Sequence, residues 1–191
     1  MSRKILFLLS HQPNPRFIKQ IKYLSKNNTV SVVYYFRDYL KDLSSEYNDN
    51  VVLNERLGSI YNGSYVRRMG DYFKSFAKIK IILKENIFDT LIVNNIDTLA
   101  LFKLGSFFTQ IEMKNIIEIS DLRSHTYTHN IKSKLIKSLE KFMFKYVDKL
   151  IVTSPKFYDM YYNILFKGQY FLLENKPLSS MIPSRLSKQN N

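Results

Sequence analysis

A carboxylate, a guanidinium and an imidazole side chain that could take part in chemistry occur together in one polar stretch of the chain. Asp121, Arg123 and His125 closely follow the apolar segment 115–119. If that segment is a strand, these three side chains could line a ligand cleft at its end. The alternative is that Asp121 caps a helix and that its neighbours are ordinary surface residues. The residues by themselves leave both interpretations open.

The spacing of His125 and His129, four residues apart, could place both on one face of a helix and suggest a metal pair. The surrounding segment 120–130 is polar, however, and offers no acidic third ligand at a suitable spacing. The chain contains no cysteine, which excludes thiolate ligands, disulfides and a cysteine nucleophile. We therefore expect no metal site.

Several signatures of nucleotide and hydrolase chemistry are absent from the sequence. The loop 10–16, which follows the first predicted strand, contains no glycine and therefore no Gly-x-Gly-x-x-Gly. Gly-x-x-x-x-Gly-Lys-Ser/Thr, Asp-x-Asp and Gly-x-Ser-x-Gly do not occur either. These absences disfavour the usual dinucleotide site, a P-loop, a metal-dependent nucleotide-sugar site and a nucleophile elbow.

Elements that would position these residues follow from the alternation of short apolar stretches with amphipathic ones. Strands are predicted at 5–9, 29–35, 89–94, 115–119, 148–152 and 170–173, with a further short strand at 51–53. Helices are predicted at 17–25, 65–86, 97–110 and 132–146, with Asp97 as the N-cap of the third, and another helix begins at Ser154 and Pro155. The remainder of 36–64, which includes Gly58 as a turn residue, reads as a surface connection.

This alternation predicts an α/β fold, a Rossmann-like doubly wound parallel sheet in a single domain. Ligands of such sheets bind beyond the carboxyl ends of the strands. The site is therefore predicted in the loops 10–16, 35–38, 94–97, 120–129 and 153–157.

The formal net charge of +13 would attract an anionic partner, although the codon bias of an AT-rich genome would enrich lysine in the same way. In the predicted helix 132–146, Leu135, Leu139, Phe142 and Tyr146 share one face. Another face carries Lys134, Lys137, Lys141 and Lys145. These lysines either form a solvated helix face or dock on an anionic membrane surface. No nucleic-acid-binding motif accompanies the charge, so we predict no nucleic-acid partner.

No stretch of about 18 apolar residues occurs, so no membrane-spanning segment is predicted. The apolar run near the start is too short for the core of a signal peptide and is better explained as a strand. The sequence therefore predicts a cytoplasmic location, including peripheral attachment to the inner face of the plasma membrane.

A series of short segments occurs in a familiar order along residues 3–177: Lys4-Ile-Leu-Phe-Leu, Pro15-Arg16, Asp89-Thr-Leu-Ile-Val-Asn-Asn before Asp97, Ile117-Glu-Ile-Ser-Asp121, Val147-Asp-Lys-Leu-Ile-Val-Thr-Ser154-Pro-Lys-Phe157, and Glu174-Asn-Lys-Pro177. In this order and spacing the chain resembles the N-terminal domain of GT-B glycosyltransferases of the family-four type. That family acts in bacterial capsule, O-antigen and exopolysaccharide synthesis.

The resemblance implies a domain that receives the acceptor, a lipid-linked sugar or an oligosaccharide, without a metal. Residues implied by position to line the acceptor cleft are Gln12, Asn14, Arg16, Asn95, Asp121, Arg123, His125 and Ser154. The family's glycine-rich first loop is replaced here by Gln12-Pro-Asn-Pro15. Contact between this loop and donor phosphates is therefore not implied.

The resemblance also implies that residues 1–177 form one domain and that 178–191 are a polar tail at the interdomain hinge. The nucleotide-sugar donor would bind a C-terminal domain that we expect to be absent from this chain. We therefore expect this chain to have no cofactor and to work with a separate donor-binding subunit. Without donor diphosphate stabilisation, the chain alone is expected to be inactive.

Two other classes of protein stay open from the sequence. One is a non-catalytic protein of the same fold that binds a glycan or an anionic membrane surface. The other is a different nucleotide-binding α/β domain, which is disfavoured by the missing glycine motif and by the lack of an acidic cluster after the first strand.

Overall fold

Seven parallel strands form one sheet in the part of the chain that the computed structural model describes, residues 2–59, 65–107, 112–123, 126, 128 and 130–174. The strands are β1 (Lys4–Leu9), β2 (Thr29–Phe36), β3 (Leu53–Ser59), β4 (Thr90–Val93), β5 (Lys114–Ile119), β6 (Lys149–Val152) and β7 (Tyr170–Leu172). Their order in the sheet is β3-β2-β1-β4-β5-β6-β7, and every neighbouring pair is parallel. The predicted doubly wound parallel sheet is confirmed.

The helices are α1 (Pro15–Leu24), α2 (Tyr65–Glu85), α3 (Ile96–Phe107) and α4 (Ile131–Met143). A short turn of 3-10 helix, Phe144–Tyr146, extends α4, and a helical segment over residues 155–165 contains a π-helix at Tyr158–Tyr162. Among the described residues, none of the helices combines the length and the hydropathy that a bilayer span requires.

The strand β1 is buried on both faces and divides the core into two layers. Ile5, Phe7 and Leu9 pack on the face covered by α1. Leu6 and Leu8 point to the opposite face and join a larger cluster with residues of α2, α3 and α4. A strand covered on both sides requires apolar residues at consecutive positions, which explains the uninterrupted run that predicted it.

The segment 36–64, predicted as a surface connection, instead contains β3 and two 3-10 turns, Ser44–Glu46 and Asn48–Asn50. The predicted strand at 51–53 begins too early, and Gly58 lies within β3 rather than in a turn. β3 is an edge strand with few buried residues, and its register with β2 shifts between Tyr34 and Tyr35. An exposed, irregular edge strand lacks the alternation by which strands are detected.

The start of α3 also differs from the prediction. The helix begins at Ile96, and the Asn95 side chain accepts a hydrogen bond of 2.9 Å from the backbone N–H of Thr98. Asn95 is therefore the N-cap, and the assignment of Asp97 to that role is wrong. The predicted end of this helix near position 110 and the tail 178–191 lie outside the described residues.

A buried ion pair ties α1 to the sheet. Arg16, in the first turn of α1, places Nε 2.8 Å from Oε1 of Glu118 on β5, whose side chain is fully buried. The Arg16 N–H is not aimed at that oxygen, so the contact is an ion pair without a directed hydrogen bond. The amide of Gln20 donates to the other carboxylate oxygen at 2.8 Å. Burial raises the pKa of Glu118, and Arg16 and Gln20 act against that shift.

We predict that Arg16→Met destabilises the protein by about 3–5 kcal/mol at neutral pH, because it leaves a buried carboxylate without its cation. A carboxyl whose pKa is higher in the folded state than in the unfolded state loses stability as the pH rises through the folded value. Loss of Arg16 raises the pKa of Glu118 further, so the destabilisation should be larger at about pH 8 than at about pH 5. Urea unfolding followed by circular dichroism measures both values.

Arg3→Met is the matched control, because Arg3 is exposed and the same charge is removed. Its effect should stay within about 0.5 kcal/mol. A loss for Arg16→Met that does not change with pH contradicts the assignment of the effect to Glu118.

Candidate functional site

A cleft of about 230 Å³ opens at the carboxyl ends of β1, β2, β4 and β5. It lies where the sheet order reverses, between β1 and β4, the position at which parallel sheets of this type bind ligands. Most of the residues that line it are polar: Ser10, His11, Arg37, Asn94, Asn95, Ile96, Ile119, Ser120, Asp121, Arg123, Glu140 and Tyr162.

Asn94, directly after β4, connects the two strands at the reversal point. Its Oδ1 accepts from the backbone N–H of Ser10 at 2.9 Å, and its Nδ2 donates to Ser10 Oγ at 3.1 Å. The same Nδ2 lies 3.2 Å from His11 Nε2. One amide therefore fixes the floor of the cleft and orients the imidazole ring.

His11 is held in one neutral form. Its Nδ1 lies 2.7 Å from the carbonyl oxygen of Gln12, and because a carbonyl only accepts, Nδ1 carries the proton. Nε2 then accepts from Asn94. Burial lowers the pKa of His11, and the charges of Arg37 and Arg16 lower it further. His11 is thus an uncharged acceptor that can take a proton from a ligand hydroxyl once Nε2 is released from Asn94.

The Gln12 side chain bonds to the backbone of a neighbouring loop and does not line the cleft. Its buried amide donates to the carbonyl oxygens of Arg37 and Leu40 at 3.0 and 2.9 Å, and its Oε1 accepts from the Arg37 N–H at 2.9 Å. These bonds join the loop after β1 to the loop after β2. The guanidinium of Arg37 in turn donates to the Ser10 carbonyl oxygen at 3.2 Å and to Tyr39 Oη at 2.8 Å.

The N-termini of both helices that begin at the cleft are capped by their own sequence. Asn14 Oδ1 accepts from the Phe17 N–H at 3.1 Å, and Pro15, which has no N–H, occupies the first position of α1. Asn95 caps α3 in the same way. The N–H groups with which helix ends usually bind phosphate are therefore partly satisfied or missing here.

The remaining predicted site residues occupy different places. Asp121 is exposed on the cleft wall, and Nη1 of Arg123 lies 3.4 Å from Oδ2 of Asp97. Arg16 pairs with Glu118, as described above. Ser154 stands at the N-cap position of the segment 155–165, but its side chain makes no capping hydrogen bond.

Of the eight predicted cleft residues, the structure brings Asn95, Asp121 and Arg123 together. Gln12, Asn14, Arg16 and Ser154 do not line the cleft, and His125 lies outside the described residues. Their contacts with a ligand stay a prediction.

Nine of the twelve lining residues were absent from the predicted set, among them His11, Arg37, Asn94, Glu140 and Tyr162. His11 and Arg37 lie in loops that the strand ends had already marked. Glu140 and Tyr162 come from helical segments and gave no signal in the sequence. Glu140 is buried and accepts a hydrogen bond from the hydroxyl of Tyr161.

The cleft lining offers both hydrogen-bond donors and hydrogen-bond acceptors and has little net charge. Arg37 and Arg123 are offset by Asp121 and Glu140, and Arg123 already has Asp97 as a partner. Such a lining suits a ligand rich in hydroxyl groups. Among the described residues, no group of three or more histidine, aspartate or glutamate side chains could hold a metal ion.

Comparison with solved structures supports the fold assignment. The sucrose-phosphate synthase of Thermosynechococcus elongatus matches with a TM-score of 0.63 at 13% identity, over 90% of this chain and 48% of that protein. HepE of Anabaena, in complex with UDP, matches with a TM-score of 0.58 at 14% identity, over 97% and 48%. The lipopolysaccharide outer core galactosyltransferase WaaB matches with a TM-score of 0.58 at 11% identity, over 84% and 42%.

No family model matches the sequence, and no curated protein matches it. The chain spans about half the length of each of the three solved structures. At this level of identity the similarity concerns the fold: a Rossmann-like domain of the kind found in GT-B glycosyltransferases. Membership in family four and the position of an N-terminal domain stay predictions.

We predict that His11 titrates below its ordinary pKa of about 6.5 and that Arg37→Gln raises its pKa, because the substitution removes one of the charges that oppose protonation. The Cε1–H resonance of His11, followed by NMR against pH, measures both values. Lys22→Gln, an exposed charge outside the cleft lining, is the control and should leave the midpoint unchanged. A wild-type midpoint at or above the ordinary value would sink the assignment.

Proposed function

We propose that this chain is the acceptor-binding half of a glycosyltransferase that acts in bacterial surface polysaccharide synthesis, of capsule, O-antigen or exopolysaccharide. The observation that carries the proposal is the polar, nearly neutral cleft at the sheet reversal, in a fold shared with about half of several sugar transferases. The acceptor is a sugar chain, lipid-linked or free. The donor binds a separate domain or subunit.

The charge of the cleft supports the acceptor side rather than the donor side. A nucleoside diphosphate carries negative charge that a binding site usually meets with cations or with free N–H groups at a helix end. Here the cleft lining contains two arginines and two acids, and Asn14 and Asn95 occupy N–H groups at the N-terminal ends of α1 and α3. Neutral sugar hydroxyls, by contrast, match the mixed donors and acceptors of the lining.

Within the cleft, the roles of the side chains follow from their positions. Asp121 and Arg37 lie at the rim and would bind hydroxyl groups of the acceptor. Asn94, on the floor of the cleft, would position the hydroxyl that attacks. Nε2 of His11, once released from Asn94 Nδ2, would accept the proton of that hydroxyl as the new glycosidic bond forms. The anomeric carbon and the leaving diphosphate belong to the donor half.

We predict that neutral oligosaccharides bind this cleft and that UDP alone does not. Saturation-transfer NMR with lactose, maltose and cellobiose as probes should give signals for sugar protons. Asp121→Ala should weaken them roughly tenfold, because it removes a charge-assisted hydrogen bond from a partly open site. Asp159→Ala, an exposed acid outside the cleft lining, is the matched control. Binding of UDP without sugar binding contradicts the acceptor assignment.

The separation of the two halves makes a second prediction. With UDP-glucose or UDP-galactose and a sugar acceptor, the 191-residue chain alone should give no transfer above background, because the described cleft holds as many acids as arginines and offers the leaving diphosphate little stabilisation. Addition of the matching donor-binding half should restore turnover, measured as release of UDP. Turnover by this chain alone overturns the two-part arrangement.

A further inference from the structure

The outward side of α4 is apolar. Ile131, Leu135, Leu139 and Phe142, which we call the apolar row, are all exposed, by 79% for Ile131 and 67% for Leu135. The side chains that α4 buries are instead Ser133, Glu140 and Met143. An amphipathic helix in a domain ordinarily turns its apolar residues inward, so this row needs a different explanation.

Helix geometry places the apolar row well away from the core. At 100° per residue, its four members fall within a sector of roughly 80°, centred about 130° from the buried side chains. The surface continues beyond the helix, because Tyr146 is exposed and the Nζ atom of Lys103 on α3 lies 5.1 Å from its ring centre. Phe107, one turn further along α3, is 78% exposed.

The exposed charged side chains of α4 all carry positive charge. Lys134, Lys141 and Lys145 are exposed along one border of the row, and Lys137 beside them donates to the Thr128 carbonyl oxygen. The only acid of α4 is Glu140, which is buried. Apart from Ser138, the exposed side chains of this helix are therefore apolar or cationic.

We propose that α4 docks this protein on an anionic lipid bilayer, with the apolar row inserted among the acyl chains and the lysines on the lipid headgroups. An apolar sector bordered by lysine is the pattern by which helices lie in a membrane interface. A contact with a second copy is disfavoured, because it would gather the lysines of both copies at one interface to which α4 contributes no exposed acid. The inference does not rest on the proposed function, since the surface lies outside the cleft.

Vesicle flotation tests the docking surface. The full chain should float with vesicles of phosphatidylcholine and phosphatidylglycerol and not with phosphatidylcholine alone, and added salt should weaken the binding. The triple variant K134Q/K141Q/K145Q should lose affinity roughly a hundredfold, at up to about 1 kcal/mol for each lysine. The control K22Q/K74Q/K84Q removes the same charge from exposed positions elsewhere and should bind almost as well as the wild type.

A second pair of variants tests insertion of the apolar row. L135S/F142S should abolish flotation, whereas V52S/I164S, at apolar positions that are at least as exposed on average, should not. All four positions are exposed, so folding is expected to survive, and circular dichroism checks it. Equal losses in the two double variants, or binding that ignores lipid charge, overturn the proposal.

Depth in the bilayer can be read directly because the chain contains no tryptophan. Tryptophan at position 142 (F142W) should be quenched by lipids brominated in the acyl chains, and tryptophan at the exposed position 87 (I87W) should not.

Size-exclusion chromatography with light scattering should find a monomer. A dimer that L135S/F142S dissociates would show that a second copy covers the row and would overturn the proposal. Arg37→Ala, a cleft variant, should float normally, so that failure of the acceptor proposal and failure of this one are told apart.

Discussion

Burial of β1 on both faces is the constraint from which the rest of the molecule follows. A strand enclosed between two helix layers carries apolar side chains along its length. Polar side chains that could contact a ligand therefore occur only at its ends. At the carboxyl end the neighbouring strands β2 and β4 lead to loops that separate. Asn94 joins Ser10 and His11 across that point, which makes one amide both a structural connection and part of the cleft.

Many polar side chains near the cleft are likewise used to satisfy backbone hydrogen bonds. Gln12, Asn14 and Asn95 point toward backbone N–H and carbonyl groups, because loops and helix ends next to a buried sheet must satisfy their own hydrogen bonds. What is left for a ligand comes from residues with longer or freer side chains, such as Arg37 and Asp121. Rim and helix ends are therefore settled before any ligand arrives, and the cleft is largely preformed.

The sequence predicts the fold well where burial is two-sided. The continuous apolar runs of β1 and β4 identify strands, and strand ends identify the loops that carry Asp121 and Arg123. The role of Gln12 could not be predicted, because its partners Arg37 and Leu40 lie far along the chain. Strand β3 was predicted too early and too short, at 51–53, because an edge strand needs little apolar surface.

Hydrophobic periodicity could not predict which side of α4 faces the core, for a different reason. Its helical wheel has two apolar sides, one with Leu135 and Leu139 and one with Ile136 and Met143. Only the packing of neighbouring elements decides which side turns inward. Glu140 is buried for the same reason, where Tyr161 can reach it.

The π-helix at Tyr158–Tyr162 has a geometric consequence for the wall of the cleft. A π-turn holds one residue more than an α-turn over nearly the same rise, and here adjacent tyrosines serve separate purposes: Tyr161 meets Glu140 while Tyr162 lines the cavity and packs on Phe144. Shortening this turn by one residue would restore regular winding and rotate one ring out of place, with every strand untouched. The outline of the cavity is thus adjustable through chain length at a single point outside the sheet.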